Sequence, residues 1–256
     1  MIWIIGGTSE STDFLKCFTG NDVSSKFIVT VVSDYSKEII KEIDSRIEVL
    51  TGRLDLQGMD DFVNLRKIEK IIDLSHPYAQ EVSKNVTTVA MKYKIPYFRF
   101  HRESYNDSKE ETNLYSTVEE IVDVVKDIDG NILVTLGGNC IEKFKDIKNL
   151  KNIYFRILPD SEVIRKCNQI GILPKNIIAL QGPFSKAMNK VMIEDYKIKH
   201  LITKNSGING GEKEKIDACT ETNCKLIFLK RPTSGSYGEI FNSFDEFIKR
   251  IYEEIL

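Results

Sequence analysis

Three short clusters in this 256-residue chain have residue types and spacings suited to chemistry on a bound dinucleotide. The first is Gly6-Gly7-Thr8-Ser9-Glu10, directly after the apolar run 2–5 and directly before a helical stretch. A glycine pair at a strand-to-helix turn lets the backbone approach a phosphate, and the helix start offers unpaired N–H groups at a positive dipole end. Thr8 and Ser9 add hydroxyls. The third glycine of the G-x-G-x-x-G fingerprint is missing, so a plain βα turn is the competing explanation. Glu10 is either an acidic first-turn residue favoured by the helix dipole or a partner for a ribose hydroxyl or the loop. The second cluster, Ser33-Asp34, ends the next apolar run. An acid there binds the adenosine ribose and disfavours a 2′-phosphate, which favours NADH over NADPH; a simple turn residue is the alternative. The third cluster is Ser75-His76-Pro77-Tyr78, after the run 70–73. Histidine titrates near neutral pH, and Pro77 can open a helix. His76 then stands at the carboxyl edge of a sheet, where it can hydrogen-bond a ribose or nicotinamide, or deliver a proton. Tyr78 and Ser75 stand beside it.

Positioning these residues takes alternating strands and helices. Unbroken apolar runs predict strands at 2–5, 27–32, 47–50, 70–73 and 97–100, and again at 131–135, 153–157, 176–179, 200–203 and 225–229. Such runs suit strands covered on both faces of a parallel sheet. Helical stretches are predicted at 10–18, 36–43, 60–66, 78–93, 117–127, 161–169, 186–196, 212–222 and 243–255. In the last of these, Phe244, Phe247, Ile248 and Ile251 make a core-facing stripe. The β-α-β rhythm predicts an α/β fold. Ten strands exceed one small sheet, so the expectation is two Rossmann-like, doubly wound domains with mainly parallel sheets and a cleft between them. The polar stretch 103–113 sets the division at 1–105 and 106–256, the second domain keeping the C-terminal helix. No sequence repeat is evident.

Composition narrows the function class. A formal charge of −2 gives no overall basic field, so neither nucleic acid nor an anionic membrane is the expected partner. No apolar segment reaches membrane-spanning length, and residues 1–5 are too short for a signal-peptide core. Five scattered cysteines, with no Cys-x-x-Cys, read as reduced thiols. The expectation is a cytoplasmic protein without a metal site, monomeric or weakly self-associating.

The segment Ile72-Asp73-Leu74-Ser75-His76-Pro77-Tyr78-Ala79 resembles the Asp-x-Thr/Ser-His-Pro-[Phe/Tyr]-Ala segment of precorrin-6A reductases. Gly6-Gly7-Thr8-Ser9-Glu10 looks like that family's Gly-Gly-Thr-x-Glu loop. Gln181-Gly182-Pro183-Phe184-Ser185 resembles its Gly-Pro-Phe segment, and Thr203-Lys204-Asn205-Ser206-Gly207 its Thr-Lys-[Asn/Asp]-Ser-Gly stretch. Lys230-Arg231-Pro232 resembles its terminal Arg-Pro. The match spans nearly the whole chain in order. Ser33-Asp34-Tyr35 departs from the glycine and arginine the family often carries after the second strand, which leaves the phosphate preference of the cofactor open.

The resemblance implies hydride transfer from NADH or NADPH to C19 of (cobalt-)precorrin-6A, with a proton added at C18, in cobalamin biosynthesis. The tetrapyrrole carries many carboxylates, and basic side chains at loop ends are the expected complement. Arg99, Arg102, Lys204, Lys230 and Arg231 are the candidates, with Arg156 behind them. Asn205, Ser206 and Gly207 would add donors beside Lys204. Gly182, Pro183 and Phe184 either shape the wall of the tetrapyrrole site or form a simple turn. The cobalt-containing substrate is the expected one. A non-catalytic NAD(P)-sensing module is the rival reading; a short-chain dehydrogenase is disfavoured, since no suitable Tyr-x-x-x-Lys pair occurs.

Overall fold

The unbroken runs of Ile, Val and Phe fold as strands buried on both faces. A computed structural model of the chain describes residues 1–20, 22–101, 113–148, 150–205, 207, 210–231 and 237–255. Arg102, Ser206 and the expected division at 105/106 lie outside these residues. The chain splits into two compact units: Met1–Glu103 with Pro232–Leu256, and Ser104–Arg231.

The first unit runs β1 (Ile2–Ile5), α1 (Ser9–Phe18), β2 (Phe27–Val31), α2 (Asp34–Ile43), β3 (Glu48–Thr51), α3 (Leu56–Arg66), β4 (Lys70–Asp73), α4 (Gln80–Tyr93) and β5 (Tyr97–Phe100). The second runs β6 (Leu114–Tyr115), α5 (Val118–Val125), β7 (Asn131–Val134), β8 (Ile153–Ile157), α6 (Ser161–Gln169), β9 (Ile177–Ala179), α7 (Lys186–Asp195), β10 (Ile198–Lys204), α8 (Glu212–Thr222) and β11 (Lys225–Leu229). Then β12 (Glu239–Phe241) and α9 (Phe244–Ile255) close the chain within the first unit.

The sheets run β12-β5-β4-β1-β2-β3 and β6-β11-β10-β7-β8-β9, with parallel pairing throughout. Strand order reverses between β1 and β4 in one sheet and between β7 and β10 in the other. Ligands of open α/β sheets bind outside the carboxyl ends of strands at such a reversal. The two units thus repeat one winding, although their sequences show no repeat.

Residues 232–256, expected to close the second domain, belong to the first. β12 pairs with β5, setting Phe241 opposite Phe100. The stripe of α9 buries Phe247 and Ile251 among Phe14, Phe18 and Phe27. Phe14 and Phe247 lie 5.8 Å apart by ring centroids, and Tyr252 stacks on Phe18 at 4.4 Å. Each fully buried side chain of this size contributes roughly 1.5–3 kcal/mol, which outweighs the pull of sequence proximity. Trp3, Phe62, Val86 and Val89 pack the opposite face of the sheet, beneath α3 and α4.

Candidate active site

The loop after β1 sits at the strand-order reversal of the first sheet. Gly6 N–H donates to Thr30 O at 2.9 Å. A Cβ on Gly6 would lie 3.0 Å from Val29 Cγ1 and 3.3 Å from Ser11 Oγ, so glycine is what lets α1 start this close to β2. Gly7 has φ +94°, and open space surrounds the place a Cβ would occupy. Ser11 Oγ accepts from Gly7 N–H and Thr8 N–H, each at 3.1 Å, and donates to Thr8 O at 2.7 Å. Thr8 Oγ1 accepts from Ser11 N–H and donates to Leu74 O at 2.8 Å, fastening the loop to the end of β4. Two loop amides are therefore committed inside the loop, leaving the bare Gly7 backbone and the exposed Ser9 facing outward. Glu10 is buried, and its carboxylate accepts from Ser9 Oγ at 3.1 Å, so its charge is withdrawn from the loop surface.

These residues fit a dinucleotide pyrophosphate. The open face of Gly7 admits close approach, and the ten-residue α1 presents its positive end there. At the end of β2, Asp34 is exposed on the first turn of α2. The Ser33 hydroxyl is the cap of that helix, accepting from Ser36 N–H at 3.2 Å. It also lies 3.0 Å from Ser36 Oγ.

Beneath the loop after β4 lies a buried network. Asp73 is fully buried. Its Oδ2 accepts from Arg99 Nη1 at 3.0 Å, Tyr97 OH at 2.6 Å and Ser83 Oγ at 3.2 Å. Its Oδ1 accepts from Ser75 N–H at 2.9 Å. Burial, and next the Asp73 charge, push the Tyr97 hydroxyl above its ordinary range, so it remains a donor. Arg99 was expected to meet a substrate carboxylate; instead it is 4% exposed and ion-paired with Asp73. A guanidinium taken out of water needs such a partner, and the pair holds the loop that follows β4.

On that loop, Tyr78 N–H donates to His76 Nδ1 at 3.2 Å, and Ala79 N–H to His76 O at 2.8 Å. An imidazole that accepts at Nδ1 has Nε2 as its donor. The His76 and Tyr78 rings lie 5.8 Å apart. Pro77 is buried, so its contribution is the shape of the turn, and α4 begins only at Gln80.

At the reversal of the second sheet, Lys204 ends β10. Burial pushes its ammonium below the usual lysine value, partly offset by the nearby Cys140. Burial raises the Cys140 thiol to about 11. Asn205 is buried, and its carbonyl accepts from Arg231 Nε at 3.1 Å. Gly207 N–H donates to the buried Glu212 Oε2 at 2.6 Å, and Lys215 Nζ to Gly210 O at 2.9 Å. These bonds fasten the loop after β10 to α8. Gly182 and Pro183 are exposed, whereas Phe184 is half-buried beneath the Arg156 guanidinium, 4.4 Å from its ring. Arg156 Nη1 donates to Asn189 Oδ1 at 2.8 Å, and Asn189 Nδ2 donates to Phe184 O and Ser185 O. Arg156 therefore braces the Gly182–Phe184 turn from below. Lys230 is exposed.

The structure thus gathers Gly7, Ser9 and the Ser75–His76 loop at one reversal, and Lys204, Asn205 and Gly207 at the other. Ser11, Asn189 and Glu212 were missed in the sequence because serines, asparagines and acids in helices look like surface residues, and Tyr97 because an aromatic in an apolar strand looks like plain core. Asp73 was named in the sequence only as part of the Ile72–Ala79 segment, and its place at the centre of the buried network emerges from the structure.

A family model described as Precorrin-6x reductase CbiJ/CobK matches residues 1–252. A relative from Priestia megaterium, named Cobalt-precorrin-6A reductase, is 31% identical over 259 residues, covering 99% of both chains. A relative of the same name from Methanocaldococcus jannaschii is 32% identical over 255 residues, covering 97% of this chain and 96% of its own. A solved structure titled CobK precorrin-6A reductase superposes with a TM-score of 0.77 at 16% identity, covering 98% of this chain and 96% of the other; that likeness concerns the fold.

Proposed function

The chain belongs to the precorrin-6x reductase (CbiJ/CobK) family, and from that membership we propose that it reduces cobalt-precorrin-6A to cobalt-precorrin-6B with NADH, in the cytoplasm, as a step of cobalamin biosynthesis. Both relatives above are named for the cobalt-containing substrate, which supports that choice over the metal-free ring. When bound, the nicotinamide supplies the hydride that adds at C19, with a proton added at C18.

This chain's own part is placement. The side-chain-free Gly7 lets the pyrophosphate approach, and Ser9 and the N-terminus of α1 hold it. Asp34 takes the ribose hydroxyls and disfavours a 2′-phosphate, the basis for NADH over NADPH. His76 donates from Nε2 to an oxygen of the nicotinamide riboside. Protonating its Nδ1 would cost the hydrogen bond from Tyr78 N–H, so we assign His76 as a fixed donor and the C18 proton to water. Lys204, Lys230 and Arg231 meet substrate carboxylates. The Gly182–Phe184 turn, braced by Arg156, shapes the wall beside them.

The observation that carries this reading is the pairing of an open Gly7 with His76 at one strand-order reversal, tied by the Thr8 hydroxyl to Leu74 O. The test is anaerobic incubation of the purified chain with cobalt-precorrin-6A and each nicotinamide in turn. Loss of the reduced-nicotinamide absorption together with a changed corrinoid spectrum is expected. Nucleotide binding without turnover would favour a nicotinamide-sensing module instead.

A further inference from the structure

The second sheet carries, on one face of its carboxyl edge, a row in which only Asn205 and Lys230 have been assigned above. Leu226, Leu201, Leu133, Tyr154 and Ile178, on β11, β10, β7, β8 and β9, all pack into the core under α7 and α8. Side chains two apart along a strand share a face, so stepping to the carboxyl end brings the same face to Lys230, Asn205, Leu158 and Leu180, each one residue past its strand, while Gly137 lies in the turn three residues past the end of β7. The ladder bonds Leu180 N–H to Ile157 O (3.0 Å) and Asn205 N–H to Leu229 O (3.2 Å) carry the register past the strand ends. Neighbouring strands lie about 4.8 Å apart, so five positions span roughly 19 Å.

Along this row the chemistry changes in order. Lys230 is exposed and in no ion pair among the described residues. Asn205 follows. Gly137, at φ +84°, has nothing within 4 Å of where a Cβ would be. Leu158 and Leu180 then stand side by side, 58% and 43% exposed. A ligand lying over both leucines, beside the Gly182–Phe184 turn, would take their apolar surface out of water. A flat apolar ring with a carboxylate rim matches the order: ring over the leucines, rim at the cation, and no side chain at Gly137 to lift it.

We propose that Leu158 and Leu180 form the shelf on which one face of the tetrapyrrole lies, its peripheral carboxylates reaching across Gly137 to Lys230. This rests on the reading of the substrate as an acidic tetrapyrrole. Leu158 and Leu180 are then determinants of specificity that no sequence motif marks.

The test uses the full chain and cobyrinic acid, a stable cobalt corrin with free side-chain carboxylates, with binding followed calorimetrically. Leu158→Glu and Leu180→Glu each set a carboxylate against the ring and are expected to weaken binding about tenfold, which converts to about 1.4 kcal/mol. Leu173→Glu, at a 41% exposed site ahead of β9 on the opposite edge, leaves binding unchanged. Lys230→Ala weakens binding more at low salt than at high. Affinity for NADH and the melting temperature stay at wild-type values in all four. Wild-type affinity in both Leu158→Glu and Leu180→Glu overturns the shelf. So does a monomer produced by Leu158→Glu from a wild-type dimer, which would make the row a surface between copies. If the wild-type chain neither binds the probe nor turns over cobalt-precorrin-6A, the proposed function falls with it. If it turns over substrate and the two glutamate variants keep its KM, the shelf alone falls.

Discussion

Replacing Asp73 by Asn keeps the side chain's shape and removes its charge, which isolates what the buried network under the His76 loop contributes. The Asp73 carboxylate accepts four hydrogen bonds, from Arg99, Tyr97, Ser83 and the Ser75 amide. With Arg99 at 5% and Asp73 at 0% side-chain exposure, the substitution leaves a guanidinium without its counter-charge in a region closed to water. Breaking one partner of such a pair costs about 3–5 kcal/mol. For a unit of this size, about 2–4 °C per kcal/mol puts the fall in melting temperature at roughly 6–20 °C. Thermal unfolding followed by circular dichroism measures it. Because the cost arises from the stranded cation, Asp73→Leu combined with Arg99→Met should lose less than Asp73→Leu alone. The surviving protein should show a raised KM for the nicotinamide, since the Ser75 amide loses its anchor. A loss below about 1 kcal/mol, or a double variant worse than the single, would refute the reasoning.

Other expectations follow from neighbouring contacts. Ser11→Ala removes the acceptor shared by the Gly7 and Thr8 amides; two freed donors at about 1 kcal/mol each predict a severalfold to thirtyfold rise in nicotinamide KM with little change in kcat, read by steady-state kinetics. Asp34→Arg should shift the kcat/KM ratio toward NADPH by at least about tenfold, the cation now pairing a 2′-phosphate; an unchanged ratio removes Asp34 from the ribose site. Lys204→Ala should raise the KM for the tetrapyrrole far more than that for the nicotinamide, measured by varying each in turn. Lys215 is held at about 8, by burial first and Arg156 next, against an ordinary value of 10.5. Between those values the unfolded chain binds the extra proton, so stability should rise with pH across that window. Lys215→Met should flatten the rise in urea denaturation profiles.

Much of the fold was legible because strands buried on both faces leave unbroken apolar runs, as at Ile2–Ile5 and Lys225–Leu229. The edge strands β6 and β12 were not, since two or three half-exposed residues leave no such run. The place of α9 was also hidden: its stripe announces a buried face but not which sheet receives it, and Phe14 and Phe18 decide that only in three dimensions. At the site, glycines and the His76 motif stood out because their types are unusual at their positions. Arg99 misled, because a cation just past a strand looks the same in sequence whether it faces a ligand or a buried Asp73. Ser11 stayed unseen because its role lies in an N-terminal loop bond rather than in its type.

The most direct test of the account is a single anaerobic turnover of cobalt-precorrin-6A with NADH deuterated at C4, followed by mass spectrometry and NMR of the corrinoid. One deuterium at C19, solvent hydrogen at C18, and loss of transfer when Gly7 is replaced by Val at its open, positive-φ position are the expected results. A reduced macrocycle carrying no deuterium, or full transfer by the Gly7→Val chain, would contradict it.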